Sequence, residues 1–223
     1  NLKKNYILKA VEASLKRLQT DYIDLYQSHW DDPATPVEET LEAFSQLVKS
    51  GKVRAIGASN FTADRLKLSV ETSEKNNWPR YDSLQPRYNM YDKKTFEKDL
   101  APLCIENNIG VIPYYGLASG FLTGKYRSLK DEGKSVRGKG MTQYLNERGS
   151  RILDALDNVS KKYDVVPATI ALAWLKSKPA ITAPIASATS VTQLNELLAL
   201  NEISLDTEDM RLLDAASEEI WEE

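Results

Sequence analysis

The run Asp21-Tyr22-Ile23-Asp24-Leu25-Tyr26-Gln27-Ser28-His29-Trp30 sets the frame for the whole chain, because a short β-prone segment there ends on the sequence's sole histidine. Upstream, Asn5 to Leu18 place Ile7, Val11, Leu15 and Leu18 at three- and four-residue steps, which is one face of a helix. From Tyr22 to Tyr26 the pattern switches to a strand, and the turn-forming Asp31-Asp32-Pro33 follows. An imidazole at the C-terminal end of a strand, preceded by a packing helix, stands where α/β barrels carry their chemistry. Taken alone, such a histidine reads more readily as a satisfied structural residue.

With 223 residues and 42% hydrophobic content the chain can bury a sizeable core. A net charge of -3 argues against a nucleic-acid partner, since phosphate backbones call for a concentrated basic surface. The single cysteine, Cys104, rules out an intramolecular disulfide and a cysteine-rich metal cage. No secretory leader is evident, so a cytoplasmic address is the default expectation. The most apolar stretch, Ile109 to Leu122, is broken by Pro113, Gly116 and Gly120 and is too short for a membrane span. Nothing in the pattern specifies an oligomeric state.

Helix and strand signals alternate through the chain. Thr35-Pro36-Val37-Glu38 reads as a capping box with proline at the first helical position, opening a helix with Val37, Leu41, Phe44 and Val48 on its buried stripe and a stop at Gly51. Val53 to Asn60 is the next strand, followed by a helix over 62–76, a short strand over 82–85, a helix over 94–107 and a strand over 109–113. A polar excursion to about Glu147 precedes helices over 148–163 and 167–177. A fifth strand is expected over 181–184, then helices over 191–200 and 207–216, the last capped by Asp206. Strands separated by helices imply parallel βαβ units, and their spacing fits a TIM-type (β/α)8 barrel better than a doubly wound sheet.

Five strands are fewer than the eight of such a barrel, and the chain opens on a helix. The expectation is therefore a single barrel domain over 1–223 holding about five of the eight βα units, with further N-terminal strands upstream of Asn1. The strand ends form a set of their own: His29, Ser59-Asn60, Gln85, Tyr114-Tyr115, and Ser187 to Thr189. Amides such as Asn60 and Gln85 can pair with a carboxamide, and Tyr114 offers a face for a flat ring. Gly116 and Gly120 permit close backbone approach, and Lys125 supplies a charge for phosphate. Each alone has a plainer reading: Ser59-Asn60 as a helix cap, the tyrosines as core aromatics.

The runs Ser14-Leu15-Lys16-Arg17-Leu18, Asp21 to Tyr26 with His29-Trp30, Gly51 to Phe61 (GKVRAIGASNF), Gln85-Pro86-Arg87-Tyr88-Asn89 and Pro113 to Tyr126 (PYYGLASGFLTGKY) together resemble the aldo-keto reductase family. The likeness covers essentially the whole chain and is nearest the bacterial branch that also resembles potassium-channel β subunits. It implies a nicotinamide-dependent carbonyl reductase on a (β/α)8 barrel, with a catalytic set of Asp, Tyr, Lys and His. Only the histidine has a counterpart here, His29, which orients the substrate carbonyl. The other three belong to strands before the first helix of this chain, so Tyr114 and Lys125 do not take those roles.

By the same resemblance Ser59, Asn60 and Gln85 hold the carboxamide, Tyr114 stacks on the nicotinamide with Tyr115 beside it, and Gly116, Leu117, Ser119, Gly120 and Lys125 form the loop over the pyrophosphate. Ser187, Thr189, Gln193 and Glu196 fall in the segment for the adenosine half, where Ser187 replaces a commoner glycine and Leu197 a frequent asparagine. Arg137 is a candidate for a 2′-phosphate, or else a solvated loop arginine. NADP(H) is favoured by family habit, with NAD(H) the other option; the substrate is a small carbonyl compound, and Trp30 is the candidate wall of its pocket. The competing class is a noncatalytic nucleotide-binding or interaction protein, or an inactive remnant.

Overall fold

A computed structural model describes residues 1–134 and 138–219 of the chain. It divides into two compact units, one made of Asn1–Pro86 and Phe96–Ile112, the other of Arg87–Thr95 and the chain from Pro113 on.

The first unit runs α1 (Lys4–Leu18), β1 (Ile23–Ser28), α2 (Val37–Lys49), β2 (Val53–Ser59), α3 (Ala63–Asn76), β3 (Ser83–Gln85), α4 (Ala101–Glu106) and β4 (Gly110–Val111). Its four strands pair in parallel in the order β1-β2-β3-β4. Helical crossovers are what parallel pairing requires, and α2 packs on β2. Ile7, Val11 and Leu15 of α1, Leu41 and Phe44 of α2, and Leu66 and Val70 of α3 are buried, as are Ile56, Leu84 and Val111 of the strands. Leu18, expected on the α1 stripe, is 63% exposed. The helix ends there, at Gln19 in the left-handed conformation, so the last turn has no next turn to pack beneath.

Local chemistry redraws two helix boundaries. Thr35 does not form the expected capping box: its hydroxyl donates to Asp32 Oδ2 (2.9 Å), and Pro36 is the N-cap residue, outside the helix. The expected helix over 94–107 is a π turn at Phe96–Leu100 followed by α4. Pro102 lacks an N–H and cannot continue the regular ladder, which accounts for the wider turn before it.

The second unit holds α5 (Glu147–Tyr163), α6 (Pro167–Lys176), α7 (Val191–Leu198) and α8 (Thr207–Ser217), with 3-10 turns at Ala118–Thr123, Leu129–Lys134 and Gly138–Tyr144. α6 is buried from Ala168 to Leu175, and Trp174 packs on Tyr88 with ring centroids 5.6 Å apart. The expected cap on α8 is present: Asp206 accepts from the Glu208 and Asp209 N–H groups, and Asp209 returns the bond to the Asp206 N–H. Among the described residues there are four strands rather than five, because 181–184 forms none. Pro184 has no N–H to give a ladder, Ile181 takes part in an isolated bridge rather than a strand, and the Ile185 N–H reaches the Pro113 carbonyl at 3.0 Å. No helix among the described residues is long and apolar enough to cross a membrane.

Candidate functional site

In the first unit the sheet ladder ends at Ser28↔Ala58 and Ser59↔Gln85, and side chains take over where it stops. Ser59 Oγ donates to the Gln85 carbonyl at 2.8 Å, which joins the ends of β2 and β3. Asn60, in the left-handed region at φ 57°, turns its amide toward β1, and Nδ2 donates to the His29 carbonyl at 2.9 Å and to Ser59 Oγ at 3.1 Å. Asparagine tolerates that backbone region better than most residues, which fits it to the last step of a strand that must turn sharply. Three strand ends are thereby tied at one level, with His29, Ser59, Asn60 and Gln85 brought together. The His29 imidazole is exposed, its ring 6.1 Å from that of Trp30, which is 62% exposed.

Beneath this layer Ser83 Oγ donates to Gln27 Oε1 across β2 at 3.2 Å. The bond passes over Gly57, where a Cβ would collide with Ser83 Oγ and lie 2.9 Å from Gln27 Cγ. Behind His29, the loop 31–35 is pinned by Arg65 of α3. Its guanidinium donates to Asp31 Oδ1 from Nε (3.1 Å) and Nη2 (2.8 Å), and Nη2 also reaches the Thr35 carbonyl at 3.1 Å. The Asp32 carboxyl is held below the usual carboxylate range by the Leu2 N–H and by the Thr35 hydroxyl.

In the second unit Tyr114 bridges in parallel to Arg87, and its carbonyl accepts from the Tyr88 N–H at 3.3 Å. Its ring, half-buried, meets that of Tyr115 edge-on at 5.3 Å, and burial raises its phenol pKa. Tyr115 is 46% exposed and lies under the Arg87 guanidinium at 5.1 Å. Arg87 in turn holds Asp92 Oδ2 through Nε and Nη2 and reaches the Tyr144 hydroxyl at 3.2 Å.

The stretch that follows, up to Lys125, contains five left-handed residues, Tyr115, Ala118, Ser119, Gly120 and Gly124, with Gly120 at φ 102°. Within it the Ala118 N–H donates to the Tyr115 carbonyl at 2.7 Å, and the Gly120 and Leu122 N–H groups donate to the Leu117 carbonyl at 2.8 and 3.2 Å. A Cβ on Gly120 would sit 3.7 Å from the Lys125 ammonium, so that cation stands beside the turn. Gly116 is packed instead, with Leu175 Cδ1 at 3.0 Å from where a Cβ would be. The Ile185 bond to Pro113 lays the stretch before Ser187 along the Tyr114 segment. Beyond it, the Thr189 N–H and hydroxyl both donate to Gln193 Oε1 (2.9 and 3.0 Å), and Ser190 caps α7. Ser187 is exposed, and Glu196 accepts the Thr169 hydroxyl through its main-chain carbonyl at 2.7 Å. Arg137 lies outside the described residues.

The profile of the Aldo/keto reductase family matches residues 1–218. The chain belongs to the aldo/keto reductase family. It is 37% identical over 207 residues to an oxidoreductase, YrpG, of Bacillus subtilis, covering 93% of this chain and 62% of that protein. To the aldo-keto reductase AFTS1 of Alternaria alternata it is 33% identical over 210 residues, 94% of this chain and 57% of the relative. A thermostable aldo-keto reductase crystallised with the inhibitor epalrestat superposes with a TM-score of 0.76 at 32% identity, over 96% of this chain and 67% of that one. The chain spans about three fifths of the length of the curated relatives it matches. The aldo/keto reductase fold class is the α/β barrel of the TIM type, and the four parallel strands are the part of it seen in the first unit.

Reading the sequence motif by motif overlooked two arginines. Arg87 stands within the Gln85-to-Asn89 run, where no role was read for it. Arg65 and Asp31 carry no signal in the sequence, since they meet only when α3 packs against the loop after β1.

Proposed function

We propose that this aldo/keto reductase is an oxidoreductase that interconverts a small carbonyl compound and its alcohol with a nicotinamide nucleotide, NADP(H) in preference to NAD(H). The observation that carries the reading is the hydrogen-bonded layer at the ends of β1, β2 and β3, where His29, Ser59, Asn60 and Gln85 stand together. Hydroxyl and amide groups in that layer match both the donor and the acceptor of a carboxamide. In the second unit, taken by itself, Lys125 beside the left-handed turn offers a pyrophosphate a positive charge, so each unit separately carries groups that suit part of such a nucleotide. Tyr114 would supply a face for the nicotinamide, Thr189 and Gln193 the polar end for the adenosine half, and Arg137 a partner for a 2′-phosphate.

The nucleotide, when bound, supplies or takes the hydride. His29 donates a hydrogen bond to the carbonyl oxygen and so orients it and stabilises the charge that develops there. Trp30 lines one wall and excludes water from that face. No residue of this chain is assigned to the family's Asp, Tyr or Lys, and the 223 residues on their own are expected to bind nucleotide without turnover. A single buried cysteine suits a reducing compartment such as the cytoplasm.

Titration of the protein with NADPH, NADH and 2′,5′-ADP tests the reading. Saturable binding with NADPH tightest supports it. Absence of binding by all three would contradict it, and turnover of a carbonyl panel by the 223 residues alone would show that some group here acts as the proton donor.

A further inference from the structure

Beyond its proposed contact with the carboxamide, we infer that Asn60 is a positioning residue for His29, an inference that rests on reading His29 as the group that faces the carbonyl. Among the described backbone bonds, the regular β1–β2 register stops at Ser28↔Ala58, one residue short of the histidine. Past that point the His29 peptide is held by a side chain: Asn60 Nδ2 donates to its carbonyl at 2.9 Å. The same nitrogen donates to Ser59 Oγ at 3.1 Å, and that hydroxyl donates to the Gln85 carbonyl at 2.8 Å. The amide is therefore itself anchored, at one remove, to β3. Rotation about the His29 peptide would swing the exposed imidazole, whose ring lies 6.1 Å from that of Trp30. Holding its carbonyl restricts that motion, and because Asn60 takes the left-handed conformation its amide is aimed back across the strand end.

This arrangement also makes the two ends of one side chain serve two tasks. The nitrogen holds the catalytic strand end; the oxygen is of the type a carboxamide N–H would seek. Seating of the nicotinamide would then be felt at the His29 peptide through a single rigid amide group.

The sequence has one histidine, so labelling with carbonyl-¹³C histidine and ¹⁵N tryptophan yields a single carbon–nitrogen correlation, from the His29–Trp30 peptide. That carbonyl is the acceptor in question. Asn60→Gly keeps the left-handed backbone accessible and removes the amide, while Asn60→Asp keeps the shape and removes the donor. In the nucleotide-free protein both should move the His29 carbonyl resonance upfield and broaden it, whereas Ser59→Ala, which leaves the donor in place, should move it less. In a protein that also carries the family's Asp, Tyr and Lys, assayed for turnover at saturating NADPH, both Asn60 variants should lower kcat by about 10- to 100-fold, the scale of a misplaced catalytic group. An unchanged carbonyl signal in whichever Asn60 variant retains the wild-type fold would overturn the positioning role. Failure of wild type to bind NADPH would instead overturn the nicotinamide reading, and the His29–Trp30 signal would still decide whether Asn60 holds that peptide.

Discussion

Replacing Arg65 by alanine should be among the more damaging single changes in the first unit, and its cost follows from the contacts it makes. The guanidinium donates twice to Asp31 Oδ1, at 2.8 and 3.1 Å, and to the carbonyls of Thr35 at 3.1 Å and Asp32 at 3.4 Å. The side chains of Arg65 and Asp31 are 21% and 11% exposed. Removing one member of a buried ion pair typically costs about 3–5 kcal/mol, because the other charge is left desolvated and alone. Residual solvent contact places this pair at the lower end, about 3 kcal/mol. With a urea dependence of about 3 kcal/mol per molar, the unfolding midpoint should fall by roughly 1 M. Asp31→Asn in the Arg65→Ala background should recover part of the loss, since the stranded charge is gone, and a double-mutant cycle would report a coupling of about 1 kcal/mol or more. A midpoint shift under about 0.3 M, or an Asp31→Asn change that adds its full separate cost to the loss, would refute the argument that this ion pair anchors the loop after His29.

Three further outcomes are expected. In a protein that also carries the family's Asp, Tyr and Lys, His29→Ala should lower carbonyl turnover by roughly 10²-fold with nucleotide affinity little changed, and normal turnover would return the residue to a structural role. Gly57→Ala should destabilise the protein by about 1–3 kcal/mol, because its methyl collides with Ser83 Oγ, and Ser83→Ala should relieve part of that loss in the double variant; thermal melts of the three proteins decide it. Asp206 has its pKa lowered to about 2, first by the Lys162 ammonium that bonds it and then by the Asp209 N–H. A carboxyl whose folded pKa lies below its unfolded value of about 3.9 contributes stability above that value and loses it as pH falls toward about 2. Asp206→Asn keeps a capping side chain without the charge, so the melting-temperature gap between wild type and variant should close across that acid window, and a gap that stays constant would contradict the assignment.

Elements with a strong period were legible from residues alone. α1 lies within a residue of where its apolar spacing put it, α5 within a residue of the expected 148–163, and Asp206 caps α8 as its type and position implied. Proline explains two of the departures. Pro102 converts the start of the fourth helix into a π turn, and Pro184 leaves 181–184 without the donor that a strand would need. Thr35 departs for a different reason: a nearer acceptor, Asp32, takes the hydroxyl that would otherwise cap α2. In the site, the residue types at the strand ends were readable one by one. Their mutual bonds were not, because Asn60 to His29 and Arg65 to Asp31 span 31 and 34 residues and arise only once strands and helices pack.

The central claim is that the strand-end residues hold the nicotinamide of a bound nucleotide, and Tyr114 tests it most directly. The measurement is a titration of NADPH and of 2′,5′-ADP, which lacks the nicotinamide, against wild type and Tyr114→Ala. A ring stacked on the nicotinamide is worth on the order of 1 kcal/mol, so the variant should bind NADPH about fivefold more weakly and 2′,5′-ADP as wild type does. Equal weakening of both ligands, or none of either, would contradict the claim and leave Tyr114 a residue of the fold.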